Sequence, residues 1–199
     1  KTACAPCPDG YYNDQIGQTE CTKKCPAGRF YSDATRKANT ALWGQVECTN
    51  CAVGEYQNEE GKGACKTCSA GQYQDTTGNS ACISCVAGRY QGQIAQVAQT
   101  SCKSCVVGKY SDQTGQAGCT KCPDANYQDQ TGETSCKECP AGRWGYVLSS
   151  NDGPGYHDSL DDCQLCWAGR YSSQTGLLYS SFFDSKCTAC AAGKYASSS

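Results

Sequence analysis

The chain has 199 residues, a formal net charge of −2 at pH 7 and 20 cysteines. Leu, Ile, Val and Phe together number 19, fewer than one residue in ten, and this excludes an ordinary globular domain built on a hydrophobic core. The small net charge is spread without blocks, which gives no reason to expect nucleic acid as a partner, and no apolar run is long enough for a direct membrane span.

The cysteine content predicts a disulfide scaffold. Small modules that bury little apolar surface are commonly stabilised by cross-links, and these persist only in an oxidising compartment. We therefore expect an extracellular protein, either secreted or at the cell surface.

The cysteines fall into ten pairs along the chain. Nine pairs are spaced C-x-x-C, and only the second carries one extra residue. Such regular spacing indicates an internal repeat, and repeats decide the fold before any single element does. In chain order the pairs are Cys4/Cys7, Cys21/Cys25, Cys48/Cys51, Cys65/Cys68, Cys82/Cys85, Cys102/Cys105, Cys119/Cys122, Cys136/Cys139, Cys163/Cys166 and Cys187/Cys190.

Each pair is followed by the phrase C-x-x-G-x-aromatic, in which Ala125 is the one replacement of the glycine. A second glycine follows in most units, at a position that suits a turn. Each unit therefore predicts a short strand carrying the aromatic residue, a tight turn, and a return strand that ends at the next cysteine. The aromatic residues are Tyr12, Phe30, Tyr56, Tyr73, Tyr90, Tyr110, Tyr127, Trp144, Tyr171 and Tyr195.

The spacing also predicts which cysteines pair. The gap between successive pairs is 13 residues in five units and 16 to 23 in the other four, so insertions enter a loop that we expect to be closed by its own bridge. Bridges inside each C-x-x-C and crossed pairings between alternate cysteines remain the alternatives, because spacing alone does not settle connectivity. The predicted bridges are Cys7–Cys21, Cys25–Cys48, Cys51–Cys65, Cys68–Cys82, Cys85–Cys102, Cys105–Cys119, Cys122–Cys136, Cys139–Cys163 and Cys166–Cys187.

This predicted pairing of the cysteines divides the chain into one continuous tandem array over residues 1–199. Nine complete modules are flanked by terminal half modules at 1–4 and 190–199. The complete modules, numbered 1 to 9 below, span 7–21, 25–48, 51–65, 68–82, 85–102, 105–119, 122–136, 139–163 and 166–187.

The repeated phrase resembles the ephrin-receptor-like cysteine-rich repeat and, more distantly, the first half of a TNF-receptor-like module. The stretches CPDGYY at Cys7, CPAGRF at Cys25 and CPAGRW at Cys139 carry the resemblance best. Tandem arrays of this kind are similar to those of large protist and algal surface proteins. The resemblance implies a small disulfide-rich fold, an elongated rod of tandem short β-hairpin modules with little hydrophobic core, but it does not fix a function.

Cys4 and Cys190 have no partner in this phase. If Ser199 of one copy preceded Lys1 of another, 12 residues would separate the two cysteines, close to the 13 of a standard unit. We therefore expect an inter-subunit bridge or a longer continuous array, and a head-to-tail contact that does not close into a ring builds a filament. The alternative is a boundary that cuts a receptor ectodomain.

The long modules carry most of the large apolar residues. A thin rod has little interior in which to bury them. Exposed apolar patches usually mark contact with another molecule, so we expect subunit packing there, with local satellite cores and a ligand site as alternatives. The interface candidates are Leu42, Trp43, Trp144, Tyr146, Leu148, Trp167, Leu177, Leu178, Tyr179, Phe182 and Phe183.

No constellation for catalysis or metal binding stands out, so we expect no enzyme and no cofactor. The acidic loop with Asp152, Asp158, Asp161 and Asp162 offers oxygen ligands for calcium, but its spacing matches no EF-hand and a solvated loop is the simpler interpretation. Cys₄ zinc sites are disfavoured by the glycine-aromatic phrase after every pair and by the core-free composition.

The sequence thus predicts a structural subunit of an extracellular filament, flagellar hair or surface coat, with copies of itself as partners in a homopolymer. The Ser- and Thr-rich turns leave O-linked glycan open. The alternative is a cysteine-rich ectodomain segment of a cell-surface receptor or adhesion protein that binds a protein ligand.

Overall fold

A computed structural model describes residues 6–15, 17–32, 47–145, 157–178 and 187–196. The described residues form short two- and three-residue strands, two 3₁₀ turns at Gln99–Ser101 and Leu160–Asp162, and nine disulfides. This confirms the predicted fold of small disulfide-rich tandem hairpin modules. The chain divides into two compact units, one of Lys1–Cys85 with Gln91–Cys102 and one of Val86–Tyr90 with Lys103–Ser199.

The first unit contains four antiparallel hairpins, one from each of the first four modules. Each is two residues long on both sides, and its first strand ends on the aromatic residue of the repeat. The hairpins are β1 (Tyr11–Tyr12) with β2 (Lys23–Lys24), β3 (Arg29–Phe30) with β4 (Thr49–Asn50), β5 (Glu55–Tyr56) with β6 (Lys66–Thr67), and β7 (Gln72–Tyr73) with β8 (Ile83–Ser84).

The second unit repeats the hairpin and adds one three-stranded sheet. Its two-stranded hairpins are β9 (Arg89–Tyr90) with β10 (Lys103–Ser104), β11 (Lys109–Tyr110) with β12 (Thr120–Lys121), β13 (Asn126–Tyr127) with β14 (Lys137–Glu138), and β17 (Arg170–Tyr171) with β19 (Thr188–Ala189). In the three-stranded sheet, β15 (Arg143–Gly145) lies between antiparallel β16 (Cys163–Leu165) and parallel β18 (Leu177–Leu178).

The return strand differs from the prediction in one respect. It was expected to end at the closing cysteine, but in module 3 the closing cysteine is Cys65 and the return strand is Lys66–Thr67, where Tyr56 pairs with Lys66. In the two-residue hairpins the x-x of C-x-x-C is thus itself the strand. The physical reason is that the disulfide already closes the loop. The two strands therefore pair just beyond the disulfide, and hydrogen bonds other than those between the strands hold the loop.

The core consists mainly of half-cystines. Most of the bridged cysteines are buried, whereas few large apolar side chains are. Tyr73 packs with the Cys85–Cys102 bridge of the next module, and Trp144 packs with Leu177 and the Cys166–Cys187 bridge of the next module. In these two places an aromatic side chain packed on a neighbouring disulfide takes the place of a conventional apolar core.

Backbone hydrogen bonds join each module to its neighbour. The N–H of the glycine in C-x-x-G donates to the carbonyl that follows the aromatic residue of the next module, as from Gly28 to Gln57 at 2.7 Å. In the opposite direction, the second glycine of a module donates to the opening half-cystine of the one before, as from Gly61 to Cys25 at 2.8 Å. Six second glycines have positive φ, as the turn prediction requires, namely Gly17, Gly61, Gly78, Gly115, Gly132 and Gly176.

The first glycine of a module also approaches the module after next. A Cβ built on Gly28 would lie 2.1 Å from the carbonyl oxygen of Gly78, and one on Gly88 would lie 2.0 Å from that of Gly132. No side chain fits at such distances, so modules 2 and 5 are each constrained by the module after next and not only by their neighbour.

Candidate functional site

The structure forms nine disulfides, and their pairs are the same nine that the cysteine phase predicts. The Cα–Cα separations of 5.5–5.9 Å lie in the usual range for a disulfide. Cys190 is a half-buried free thiol in the structure, and Cys4 lies outside the described residues.

A buried glutamine is a recurring feature that the sequence reasoning missed. The residue after the aromatic is a buried glutamine in four modules, and the side chain of Gln128 is only 2 % exposed. The pattern aromatic-Gln, repeated four times, was the signal that could have found it. The four residues are Gln57, Gln74, Gln91 and Gln128.

The side chain of each of these four glutamines makes two hydrogen bonds to the backbone of its own loop. The amide nitrogen Nε2 of Gln128 donates to the carbonyl of Ser135, just before the closing cysteine, at 2.8 Å, and its Oε1 accepts from the N–H of Gln130 at 3.0 Å. Gln57 and Gln74 make the same two bonds, and so does Gln91. A side chain thus holds the loop beyond the point where the two strands pair. The same bonds satisfy the buried amide group of the glutamine.

Exposed ion pairs repeat along the hairpins. Lys66 contacts Glu59 at 2.9 Å, and with Lys62 it lowers the pKa of the Glu59 carboxyl to about 2. In module 1 a hydrogen bond from Lys23 lowers the pKa of Asp14. Modules 1 and 3 thus pair an acid beyond the aromatic with a lysine after the closing cysteine, which orders the loop surface and leaves no perturbed group of catalytic character there.

Among the described residues, some of the predicted interface residues are buried and others are exposed. Trp144 is 7 % exposed and, with Leu177, belongs to the cluster around the Cys166–Cys187 bridge. The cluster is a satellite core, one of the alternatives that the sequence left open. Trp144 nevertheless also lines the groove described below.

Trp167 and Leu178 lie on the surface. Trp167 is 67 % exposed, and Leu165, Leu160 and Tyr171 are exposed in the same two modules. The remaining interface candidates lie outside the described residues, namely Leu42, Trp43, Tyr146, Leu148, Tyr179, Phe182 and Phe183.

A groove of about 550 Å³ opens beside Trp167. One wall is strand β16 and another is the 3₁₀ turn Leu160–Asp162. Its lining combines apolar and polar side chains. Its lining includes Arg143, Trp144, Asp161, Gln164, Leu165 and Trp167.

The 3₁₀ turn is held by its own polar groups. Ser159 forms a capping box, since its Oγ accepts from the N–H of Asp161 at 3.2 Å and its N–H donates to the carboxylate of Asp162 at 3.0 Å. Of the acids considered for calcium, Asp162 is therefore used as a cap, Asp158 and Asp161 flank it, and Asp152 lies outside the described residues. Within the described ranges, no three His, Cys, Asp or Glu side chains cluster closely enough to hold a metal ion.

The single histidine joins module 8 to module 7. His157 is buried with φ of +69°, and its Nδ1–H donates to the carbonyl of Asn126 at 2.6 Å. Its own carbonyl accepts from the N–H of Gln128 at 2.7 Å. The Nε2 atom lies 4.0 Å from the carboxylate of Asp124. His157 thus serves as a packing residue between modules.

No helix in the described part of the chain is long and apolar enough to cross a bilayer. No curated protein matches the chain. A family model described as tyrosine-protein kinase ephrin type A/B receptor-like matches residues 1–38, 40–81 and 108–152. Because these three segments cover well over half of the 199 residues, and each contains the bridged hairpin module, the chain belongs to this ephrin-receptor-like family of cysteine-rich repeats.

Proposed function

We propose that this chain is a cysteine-rich segment of an extracellular, receptor-like ectodomain, in which the disulfide-bridged modules present a protein-binding surface. The observation that carries the proposal is the family membership of a chain whose stability depends on nine bridges. Such bridges persist outside the cell and not in a reducing cytosol.

The family favours this function over the filament subunit that the terminal half modules suggest. The filament hypothesis depends on the spacing of Cys190 and Cys4, and none of the family matches points to polymerisation. The ectodomain hypothesis needs a surface reserved for another molecule, and Trp167, an indole that is two-thirds exposed beside a groove, supplies one.

Oligomeric state distinguishes the two functions. The oxidised chain is studied by sedimentation velocity and negative-stain electron microscopy, with Cys190→Ser as the matched variant that removes the free thiol. We expect both forms to remain monomeric without an added partner. Filaments with a regular axial repeat, lost in Cys190→Ser, would overturn the proposal in favour of the polymer.

Location is tested separately, on intact cells. Antibodies against the chain should label unpermeabilised cells, or the chain should be recovered from the medium with no thiol open to alkylation other than at Cys190 or Cys4. Labelling that requires permeabilisation would contradict an ectodomain.

A further inference from the structure

We propose that the groove beside Trp167 receives a lysine or arginine side chain of the partner protein. This inference rests on the proposed function, because it names the chemistry that the same surface recognises. It depends on two features of the groove: an exposed indole, and a carboxylate that has no ion-pair partner among the described residues.

The exposed indole supplies a face for a cation. Trp167 follows directly after the half-cystine Cys166, so its backbone is fixed by a bridge although its side chain is 67 % exposed. Indole is the best of the aromatic faces for an ammonium or guanidinium group.

The carboxylate of Asp161 lines the groove without an ion-pair partner in the part of the chain that the structure describes. Its backbone N–H is held by Ser159, so the residue is fixed by the capped turn while the carboxylate stays exposed. The side-chain amide of Gln164 donates from Nε2 to the Asp161 carbonyl at 2.9 Å, which leaves its Oε1 as an acceptor. Together these groups accept hydrogen bonds from a ligand.

The arginine in the groove is committed to the fold. Nη1 of Arg143 donates to the carbonyl of Cys163 at 2.8 Å and lies 3.4 Å from that of Leu160. Arg170 makes the same bond to the carbonyl of Cys187 in the next module, at 2.9 Å, so the bond recurs in the repeat. No ion pair joins Arg143 to Asp161 among the described residues, although the guanidinium keeps its positive charge beside the groove. The groups that would receive a cation are therefore the indole of Trp167 and the carboxylate of Asp161.

The test uses a small probe on the intact oxidised chain. The indole Nε1–H signal of Trp167, assigned with Trp167→Phe, is followed by ¹⁵N–¹H NMR during titration with N-acetyl-arginine amide. N-acetyl-citrulline amide is the neutral control of nearly equal shape, and N-acetyl-leucine amide and N-acetylglucosamine represent an apolar peptide and a glycan.

We expect the arginine probe to shift the Trp167 signal with a fitted dissociation constant in the millimolar range, and the citrulline probe to bind more weakly. Asp161→Asn should weaken arginine binding roughly threefold, as expected for an exposed charge pair, and added salt should weaken it further. The matched charge change Asp112→Asn, on an exposed residue of module 6, should leave the affinity unchanged.

Equal shifts by arginine and citrulline, a shift by leucine amide or the sugar alone, or no shift at all would each overturn the cation inference. These results would leave the ectodomain proposal standing, since it is tested by oligomeric state and location. Conversely, filaments would overturn that proposal even if the arginine probe bound.

Discussion

Substituting the first glycine of a module tests whether modules two apart are in rigid contact. Gly88 and Gly142 occupy the same motif position, both with φ of +79°, and both N–H groups donate to the next module, at 2.8 and 3.0 Å. They differ in surroundings, since a Cβ on Gly88 would lie 2.0 Å from the Gly132 carbonyl oxygen whereas one on Gly142 meets no described atom within 4 Å. Gly88→Ala and Gly142→Ala thus form a matched pair.

The magnitudes follow from this difference. Both alanines adopt a left-handed backbone conformation, which costs roughly 1–2 kcal/mol. In Gly88→Ala the carbonyl of Gly132 must also move by more than 1 Å to about normal contact distance, which adds overpacking of roughly 1–3 kcal/mol. That movement also weakens the hydrogen bond from Gly132 to Cys105, worth about 1 kcal/mol. We expect Gly88→Ala to cost about 2–4 kcal/mol more than Gly142→Ala.

Native-state hydrogen exchange measures this locally, which is appropriate because a tandem array need not unfold in one step. Protection of the Gly132 amide should fall by roughly 30-fold or more in Gly88→Ala. In Gly142→Ala it should stay near the native value. Mass spectrometry without reductant controls for intact bridges. Equal protection of the Gly132 amide in both variants would refute a rigid contact between modules 5 and 7. Each module would then be constrained by its direct neighbours alone.

Three further perturbations test the loops, the surface charges and the bridges. Gln128→Ala should destabilise module 7 by roughly 1–3 kcal/mol, since two part-buried backbone groups lose their hydrogen-bond partner, and exchange of the Gln130 amide should report it. The carboxyl of Glu59 should titrate near pH 2 by NMR and move toward its ordinary value in Lys66→Met. Because this pKa is lowered in the folded chain, the stabilisation is complete above about pH 4.5 and is lost as the pH falls through about 2. Replacing Cys105 and Cys119 together by Ser should cost about 3 kcal/mol in that module, measured as local exchange, while exchange in distant modules stays unchanged.

Much of the fold could be predicted from the repeated pattern of cysteines, glycines and aromatic residues. Apart from the one extra residue between Cys21 and Cys25, insertions lie between the pairs and so mark the loops, and the repeated glycine and aromatic mark the hairpins. The position of the return strand could not be predicted in this way. A two-residue strand has no hydrophobic period to read, and the choice between ending at Cys65 and starting after it depends on backbone geometry at the bridge.

The sequence did not distinguish Trp144 from Trp167, although the structure buries one and exposes the other. Trp144 occupies the aromatic position of the motif, where a ring packs on the bridge of the next module. Trp167 directly follows an opening half-cystine, as do Val86 and Val106, which are 56 % and 53 % exposed. Position in the repeat thus helps to decide burial, although the last two aromatic residues of the repeat are exposed. Apolar content alone could not reveal which tryptophan is buried.

The same contrast separates the positions that hold the modules together from those that form the surface. The bridged cysteines, the first glycines and the buried glutamines are held by disulfides or hydrogen bonds, such as the 2.7 Å bond from the N–H of Gly54 to the carbonyl of Gln74. The side chain of Trp167, the residue after an opening cysteine, makes none of the hydrogen bonds found in the described part of the chain and is largely exposed. We therefore expect a substitution at this position to change the chemistry of the surface at little cost to folding, because the bonds that hold the modules lie elsewhere.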